Sequence, residues 1–247
     1  MARPAQAGAA RLGRGPGNGL TKMTVVIINP NASEAMTATM QAAARAVAPS
    51  DLEIEGWTSH EGPPAIQGAE DGEAATPALL ALVERAAARN VDGIVIGCFD
   101  DTALARARGL AACPVIGIGQ AAFHLCALRG WRFGVVTTLP VSVPVIEGNI
   151  AHYGLRGGCA RVRASNVPVL TLEDDPAAAA AAIRAEAETA WREDGIDALV
   201  LGCAGMARVA GVVRDAVPIP VVDPVEAAIG CIAWLSRSGP LSGSLGD

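Results

Sequence analysis

The sequence predicts an α/β protein built as two similar parallel-sheet lobes related by a pseudo-two-fold axis, with a ligand site in the cleft between them. Three observations lead there. Short apolar, strand-like runs alternate with helical stretches, the pattern of parallel sheets covered by helices. The segment VDGIVIGC (91–98) returns as IDALVLGC (196–203), and PVIGIGQAA (114–122) returns as PVVDPVEAA (220–228) with one residue of slippage. VVIINPNAS (25–33) loosely echoes GVVTTLPVS (134–142), in the same order and at nearly the same offset. A self-similarity of about 105 residues is too long for a solenoid repeat and fits two homologous lobes.

The elements follow in order. TVVII (24–28) reads as the first strand, and 35–47 as an amphipathic helix capped at Ser33. A weaker strand at 52–58 precedes a helix opened by Thr76 as cap and Pro77 at its first position. GIVIG (93–97) is a buried strand ending at Cys98, with a helix expected from about Asp101. A strand at 114–118 leads into a helix at 121–128. In the second half, FGVVT (133–137) is a strand, 143–152 a helix and 162–170 a strand. Asp175-Pro176 opens a long Ala-rich helix to Glu193, where alanine signals helix propensity rather than low complexity. ALVLG (198–202) ends at Cys203, a helix follows, and 220–222 leads into a last helix at 225–235. Residues 23–118 with 221–238 are assigned to the first lobe and 119–220 to the second. Residues 1–22, Gly- and Pro-rich with four basic and no acidic side chains, are expected to be a disordered leader, with Met23 the effective beginning. Residues 239–247 read as a flexible tail.

Composition limits the function. Hydrophobic residues make up 51% of the 247 positions, enough for a large core, while aromatics are only 3%, so close Ala-on-Val packing is expected. The net charge of −6 argues against nucleic-acid or anionic-membrane partners. No apolar run reaches the ~18 residues of a membrane span. Six dispersed cysteines without a C-x-x-C pair indicate free thiols and a cytoplasmic location. His60, His124 and His152 lack zinc-ligand spacing, so no metal is expected.

Cys98 and Cys203 stand apart because they occupy equivalent repeat positions. Each follows a buried strand and precedes a helix, where ligands bind in parallel sheets. A helix start presents free N–H groups, which should lower a thiol's pKa. The preceding glycines should let the backbone turn sharply and a ligand approach closely. A lone cysteine in such a place reads as an inert buried residue. A symmetric pair facing each other across a cleft has a chemical meaning: one takes a proton from one face of a carbon and the other delivers one to the opposite face. Cys113, Cys126, Cys159 and Cys231 lack such support and are taken as structural, Cys159 in a loop.

With these residues in view, the chain resembles the aspartate/glutamate racemase superfamily, specifically its hydantoin racemase branch, with allantoin racemases as close relatives. The motifs are NPNAS (29–33), GCFDD (97–101), PVIGIGQAAFH (114–124), VVTTLPVSVP (135–144) and LGCAGMA (201–207), and the similarity runs from Met23 to about Ser236. The resemblance implies a two-cysteine 1,1-proton transfer without metal or cofactor, carried out by homo-oligomers of two-lobed subunits. One departure is informative. The amino-acid racemases typically carry Gly-Cys-Thr-His, whereas here Gly202-Cys203-Ala204-Gly205-Met206 has no histidine. A hydantoin's C5 proton, beside an imide carbonyl, is more acidic than an amino acid's α-proton, so a simpler site suffices for a neutral cyclic amide.

Roles follow from that chemistry. One cysteine must be thiolate and the other thiol at the start of each turnover. The enolate oxygen needs donors, for which the backbone N–H groups of Phe99, Asp100, Ala204 and Gly205 are candidates. Asn31, Ser33, Thr137, Thr138 and Ser142 are candidates for ring N–H and C=O groups, with helix capping the other reading for Ser33 and Ser142. Phe99 is expected to wall the pocket of the 5-substituent. Asp100 and Asp101 read as helix caps, or as groups orienting Cys98 or a ring N–H. Three alternatives stay open: an allantoin racemase, a single-thiol maleate-type cis–trans isomerase, and a non-catalytic small-molecule-binding protein. An arylmalonate-type decarboxylase needs one cysteine, and the pair argues against it.

Overall fold

Two four-stranded parallel sheets carry the molecule. The computed structural model describes residues 22–238, so the expected tail 239–247 and all of the expected leader but Lys22 lie outside the described residues. β1 (Met23–Asn29), β2 (Leu52–Thr58), β3 (Gly93–Ile96) and β4 (Val115–Gly117) pair in the order β2-β1-β3-β4. β5 (Phe133–Thr137), β6 (Cys159–Ala164), β7 (Ala198–Leu201) and β8 (Val221–Val222) pair in the order β6-β5-β7-β8. Adding four to each strand of the first sheet gives the second, so the repeat in the sequence is a repeat of topology.

α1 (Glu34–Val47), α2 (Ala69–Ala88) and α3 (Leu104–Arg108) belong to the first half, and α4 (Ile118–Leu128) leads into the second. There α5 (Val143–His152), α6 (Thr171–Asp174), α7 (Pro176–Glu193) and α8 (Ala210–Ala216) follow in turn. α9 (Pro224–Ser238) returns to pack on α1, α4 and β3. The assigned boundary at 221 therefore shifts: Val221 and Val222 hydrogen-bond in the second sheet, and the return begins at Pro224.

Four local expectations change. α2 starts at Ala69, so Thr76 and Pro77 lie inside it; the Thr76 hydroxyl donates to Gly72 O at 2.9 Å, within the helix. The expected strand at 162–170 is β6, shifted toward the N-terminus, which places Cys159 in a strand rather than a loop. Residues 165–170 leave the sheet, with Ser165 N and Oγ both donating to Thr137 O. No helix starts at Asp101. Asp101 and Ala103 are left-handed (φ 50° and 52°), and the Asp101 side chain turns away to cap α4, accepting from Gly119 N at 3.1 Å and Gln120 N at 2.7 Å. The Ser33 cap forms as read, accepting from Met36 N, and α7 starts at Pro176 as read, with the Asp175 side chain capping it by accepting from Ala178 N.

One apolar cluster spans both halves, from Val25 and Met40 through Phe123 to Val200 and Val225. All three phenylalanines meet in it. Phe123 of α4 is edge-on to Phe99 at 5.3 Å and stacked on Phe133 at 5.7 Å, which ties the end of β3 to the start of β5. Such ring pairs add about 0.5–1.5 kcal/mol beyond burial.

The glycines before the two cysteines serve close packing rather than a sharp turn. Neither has a positive φ. A Cβ on Gly202 would lie 2.8 Å from Thr137 Cα and 2.9 Å from Val136 O, both backbone atoms. A Cβ on Gly97 would lie 2.7 Å from Met40 Sδ, the far end of a flexible side chain, and 3.1 Å from Ile28 O. Gly202→Ala is therefore expected to destabilise the fold by about 1–3 kcal/mol, and Gly97→Ala by less. Urea midpoints of the two variants at unchanged m-value test this order; the reverse order would place the tighter constraint in the first half.

Candidate active site

The two equivalent strand ends open onto one small cavity. Gly97 N–H donates to Ile28 O and Gly202 N–H donates to Val136 O, each at 2.8 Å, which places Cys98 and Cys203 just past the C-terminal edges of β3 and β7. Both sulfurs line the same cavity, of about 30 Å³. None of the other four cysteines lines it.

Around the thiols, the loop after β1 contributes Asn31, and the loop after β3 adds Phe99 and Asp100. The last residue of β5, Thr137, and Thr138 and Ser142 just after it add to the wall, and Ala204 follows Cys203. The walls are completed by Met36, Ile66 and Val169, which the sequence reading had not singled out. No Lys or Arg lines the cavity, and among the described residues no group of three His, Cys, Asp or Glu could hold a metal.

Two expected binding residues are not on the wall. Ser33 is spent as a cap, and its hydroxyl also donates to Glu173 Oε1 at 2.6 Å, joining the halves. Gly205 lies behind Cys203, where its N–H points at the sulfur, and a side chain there would meet Leu172 at 2.9 Å. The others differ in what they offer. Asn31 Oδ1 accepts from Asn29 Nδ2 and Ser33 N, which fixes the amide so that Nδ2 faces only the weak acceptor Met36 Sδ at 3.2 Å. Its N–H donors are thus available to a ligand. The Thr137 hydroxyl donates to Gly202 O at 2.9 Å and pins β5 to β7. The hydroxyls of Thr138 and Ser142 make no hydrogen bond among the described residues, so Ser142 does not cap α5. Phe99 does two things, lining the cavity while its ring packs on Phe123.

The electrostatics overturn one expectation. Neither thiol is acidified. Burial, then the nearby Asp100 charge, raises Cys98 well above the usual thiol range, and Cys203 adds to this. The Thr102 hydroxyl and the Asp100 N–H pull the other way without prevailing. Cys203 is pushed up to about 11, first by burial and then by Asp100 and Glu173, although the N–H groups of Gly205 and Met206 lower it. The amides expected at a helix start are present, at the head of a short 3-10 turn (Ala204–Arg208), but desolvation outweighs them. Asp100 is likewise pushed up to about 7 by burial, and its Oδ2 is buried with no hydrogen-bond partner. It caps no helix.

A doubly repeated parallel α/β fold with paired thiols at matching strand ends defines a class, and the comparisons with known proteins name it. The family model described as Asp/Glu/Hydantoin racemase matches residues 25–232. The chain is 41% identical to a hydantoin racemase of Rhizobium meliloti over 217 residues, 88% of this chain and 90% of that protein. It superposes on the solved allantoin racemase from Klebsiella pneumoniae with a TM-score of 0.85 at 39% identity, covering 91% and 92% of the two chains. It shares its fold with glutamate racemase from Francisella tularensis at TM-score 0.64 and 14% identity, over 92% and 85% of the chains. The chain belongs to the Asp/Glu/hydantoin racemase family. No helix among the described residues is long and apolar enough to cross a membrane.

The Asp100 shift has a consequence for stability. Its folded pKa lies above its ordinary 3.8, so the fold favours the protonated form. The cost is absent below about pH 4, grows between about pH 4 and 7 as the unfolded chain ionises and the folded one does not, and is complete above about 7. Asp100→Asn is therefore expected to raise the melting temperature at pH 8 and to leave it nearly unchanged at pH 4. Thermal denaturation at the two pH values checks this, and an equal offset at both would mean that Asp100 ionises freely in the folded protein.

Proposed function

We propose that the chain is a racemase of a neutral, hydantoin-type cyclic amide, working through Cys98 and Cys203 as two bases without a cofactor. The observation that carries this reading is that both cysteines line one cavity from equivalent strand ends of the two halves. The absence of Lys and Arg from the wall supports the neutral substrate, since the carboxylate of an amino acid would meet Asp100 and no counter-charge. The names of the relatives, hydantoin racemase and allantoin racemase, point the same way.

In the forward direction the thiolate of one cysteine removes the C5 proton, and the pair of electrons moves into the C4 carbonyl as an enolate. The thiol of the other delivers its proton to the opposite face, the enolate collapses, and the two cysteines have exchanged protonation states. Asn31 Nδ2 and the hydroxyls of Thr138 and Ser142 supply donors for the carbonyl oxygens. Cys203, whose sulfur faces the N–H groups of both Gly205 and Met206, is the better placed of the two to hold the thiolate. A cavity of about 30 Å³ has room for about two waters, so a ring needs part of the wall to move, and Ile66 and Val169 are wall residues carried on loops.

Because both thiols are shifted upward, the thiolate fraction near neutrality is small and grows about tenfold per pH unit. The proposal therefore expects kcat/KM to climb steadily from pH 7 to 9. It also expects mass-mapped iodoacetamide alkylation to reach Cys203 at lower pH than Cys98, with protection by substrate. A rate that is flat over this range would mean a preformed thiolate. Activity is expected to survive EDTA and dialysis.

The sharper test replaces each thiol by a hydroxyl too weakly acidic to serve as base. Cys98→Ser and Cys203→Ser are each expected to abolish racemisation while the remaining thiolate exchanges C5–H for deuterium with retention, the two variants preferring opposite enantiomers. Proton NMR and optical rotation in heavy water read this out. Slow residual exchange is compatible with two groups acting as a unit. The same enantiomer preferred by both variants, or racemisation at the wild-type rate by one, would end the two-base reading in favour of a single-thiol isomerase.

A further inference from the structure

Asp100 is a half-buried residue whose carboxyl carries a buried oxygen that the protein itself leaves unsatisfied. Its Oδ2 has no partner, and neither carboxyl oxygen makes a hydrogen bond among the described residues. Its neighbour shows that this is not a general property of the loop. Asp101 accepts from Gly119 N, Gln120 N and, at 2.8 Å, the Tyr153 hydroxyl. The Asp100 main chain is clamped, since Asn149 Nδ2 donates to its carbonyl at 2.8 Å and its own N–H points at the Cys98 sulfur. The side chain is thus held on the cavity wall, beside both thiols and opposite no basic group. A buried polar group without a partner is costly, and retaining one points to a ligand that completes it.

The missing partner must be an N–H donor that enters with the substrate. A carboxylate offers two parallel acceptor oxygens, and a urea or guanidinium offers two parallel N–H donors at matching spacing. We propose that Asp100 is a specificity-determining residue that selects substrates whose 5-substituent carries a paired N–H donor, a ureido or guanidino group, over alkyl and aryl ones. This rests on the racemase reading above. It assigns Asp100 to the substituent rather than to the ring, which every hydantoin shares.

The pH dependence of the preference follows. Asp100 becomes a stronger acceptor as it ionises near pH 7, so discrimination should rise across that range. Cys98, Cys203 and Asp101 are the titratable groups that feel its charge. The thiols act on every substrate alike, so their ionisation cancels in a ratio of two substrates, and so does any loss of folded protein in a variant.

The experiment measures kcat/KM for 5-ureidohydantoin (allantoin), 5-(3-guanidinopropyl)hydantoin, 5-isobutylhydantoin and 5-benzylhydantoin with wild type, Asp100→Asn and Asp100→Ala. Wild type is expected to prefer the two donor-bearing substrates. Each variant is expected to lower the ureido-to-isobutyl ratio by about 30- to 100-fold, the worth of a charge-assisted hydrogen bond. Part of that change should come from improved turnover of the isobutyl and benzyl substrates. The wild-type ratio should increase from pH 6 to 8 and the variant ratios should not. Comparing the neutral ureido with the cationic guanidino substrate tells which source of paired donors is preferred. An unchanged ratio, or an equal loss on all four substrates, overturns the proposal, the latter by placing Asp100 in the proton transfer itself. Wild type that racemises only the alkyl and aryl hydantoins ends this inference and leaves the racemase reading standing; wild type that racemises none ends both.

Discussion

One main-chain hydrogen bond in each half fixes where the thiols sit, and much of the site depends on that pair of bonds. Gly97 N–H on Ile28 O and Gly202 N–H on Val136 O are the last rungs of equivalent parallel ladders. Each rung lies one residue before a cysteine, and each glycine sits where a side chain would strike its neighbours. Because parallel strands present their C-terminal ends on the same edge, duplicating the half-fold duplicates the thiol position. A symmetric pair of groups is what a reaction needs when it must treat the two faces of a carbon alike. The Thr137 hydroxyl bonded to Gly202 O and the Phe99–Phe123–Phe133 contacts then hold the two edges to the shared core.

Charge in the cavity is governed by burial rather than by helix dipoles. Three acidic groups, Cys98, Cys203 and Asp100, share about 30 Å³ with no cation on the wall. The Asp100 charge raises both thiols, and each thiol also faces desolvation. Such a site tolerates one negative charge far better than two. A thiolate at either cysteine and an ionised Asp100 therefore compete. Thiol ionisation and the charge of Asp100 are thus linked, so a carboxyl in the wall bears on how readily either thiolate forms.

The duplicated parallel-sheet halves and the meeting of Cys98 with Cys203 were legible because both are written as repeats of buried strands followed by Gly-Cys. The cap at Ser33 and the helix start at Asp175-Pro176 were legible because residues before a helical run have a local effect. What was missed depends on long-range contacts. Asp101 reads locally as a cap for the helix after it, yet it caps α4, seventeen residues on, because a left-handed turn at 101 aims it across the sheet edge. Pro77 reads as a helix start, yet α2 runs through it. Ile66 and Val169 lie on loops without periodicity, so no pattern in the chain marks them as cavity wall. The thiol shifts could not be read either, because a motif shows which amides are near a sulfur but not how completely the surrounding core excludes water.

The contacts that join the halves around the cavity divide into two groups. On one side, Asn149 of α5 holds the Asp100 carbonyl and Tyr153, packed against the shared core, holds Asp101. On the other, Gln67 Oε1 accepts from Val169 N at 3.0 Å and Ser33 donates to Glu173, both across the halves. These last contacts lie on or next to the loops that carry Ile66 and Val169. A neutral hydrogen bond contributes only about 0.5–1.5 kcal/mol net and one to a charged group about 1.5–3 kcal/mol. Releasing the Gln67 contact thus costs little compared with disrupting the aromatic cluster and the α4 cap beneath the site. Of the contacts that join the halves, the neutral one beside Ile66 and Val169 is therefore the one that yields most readily.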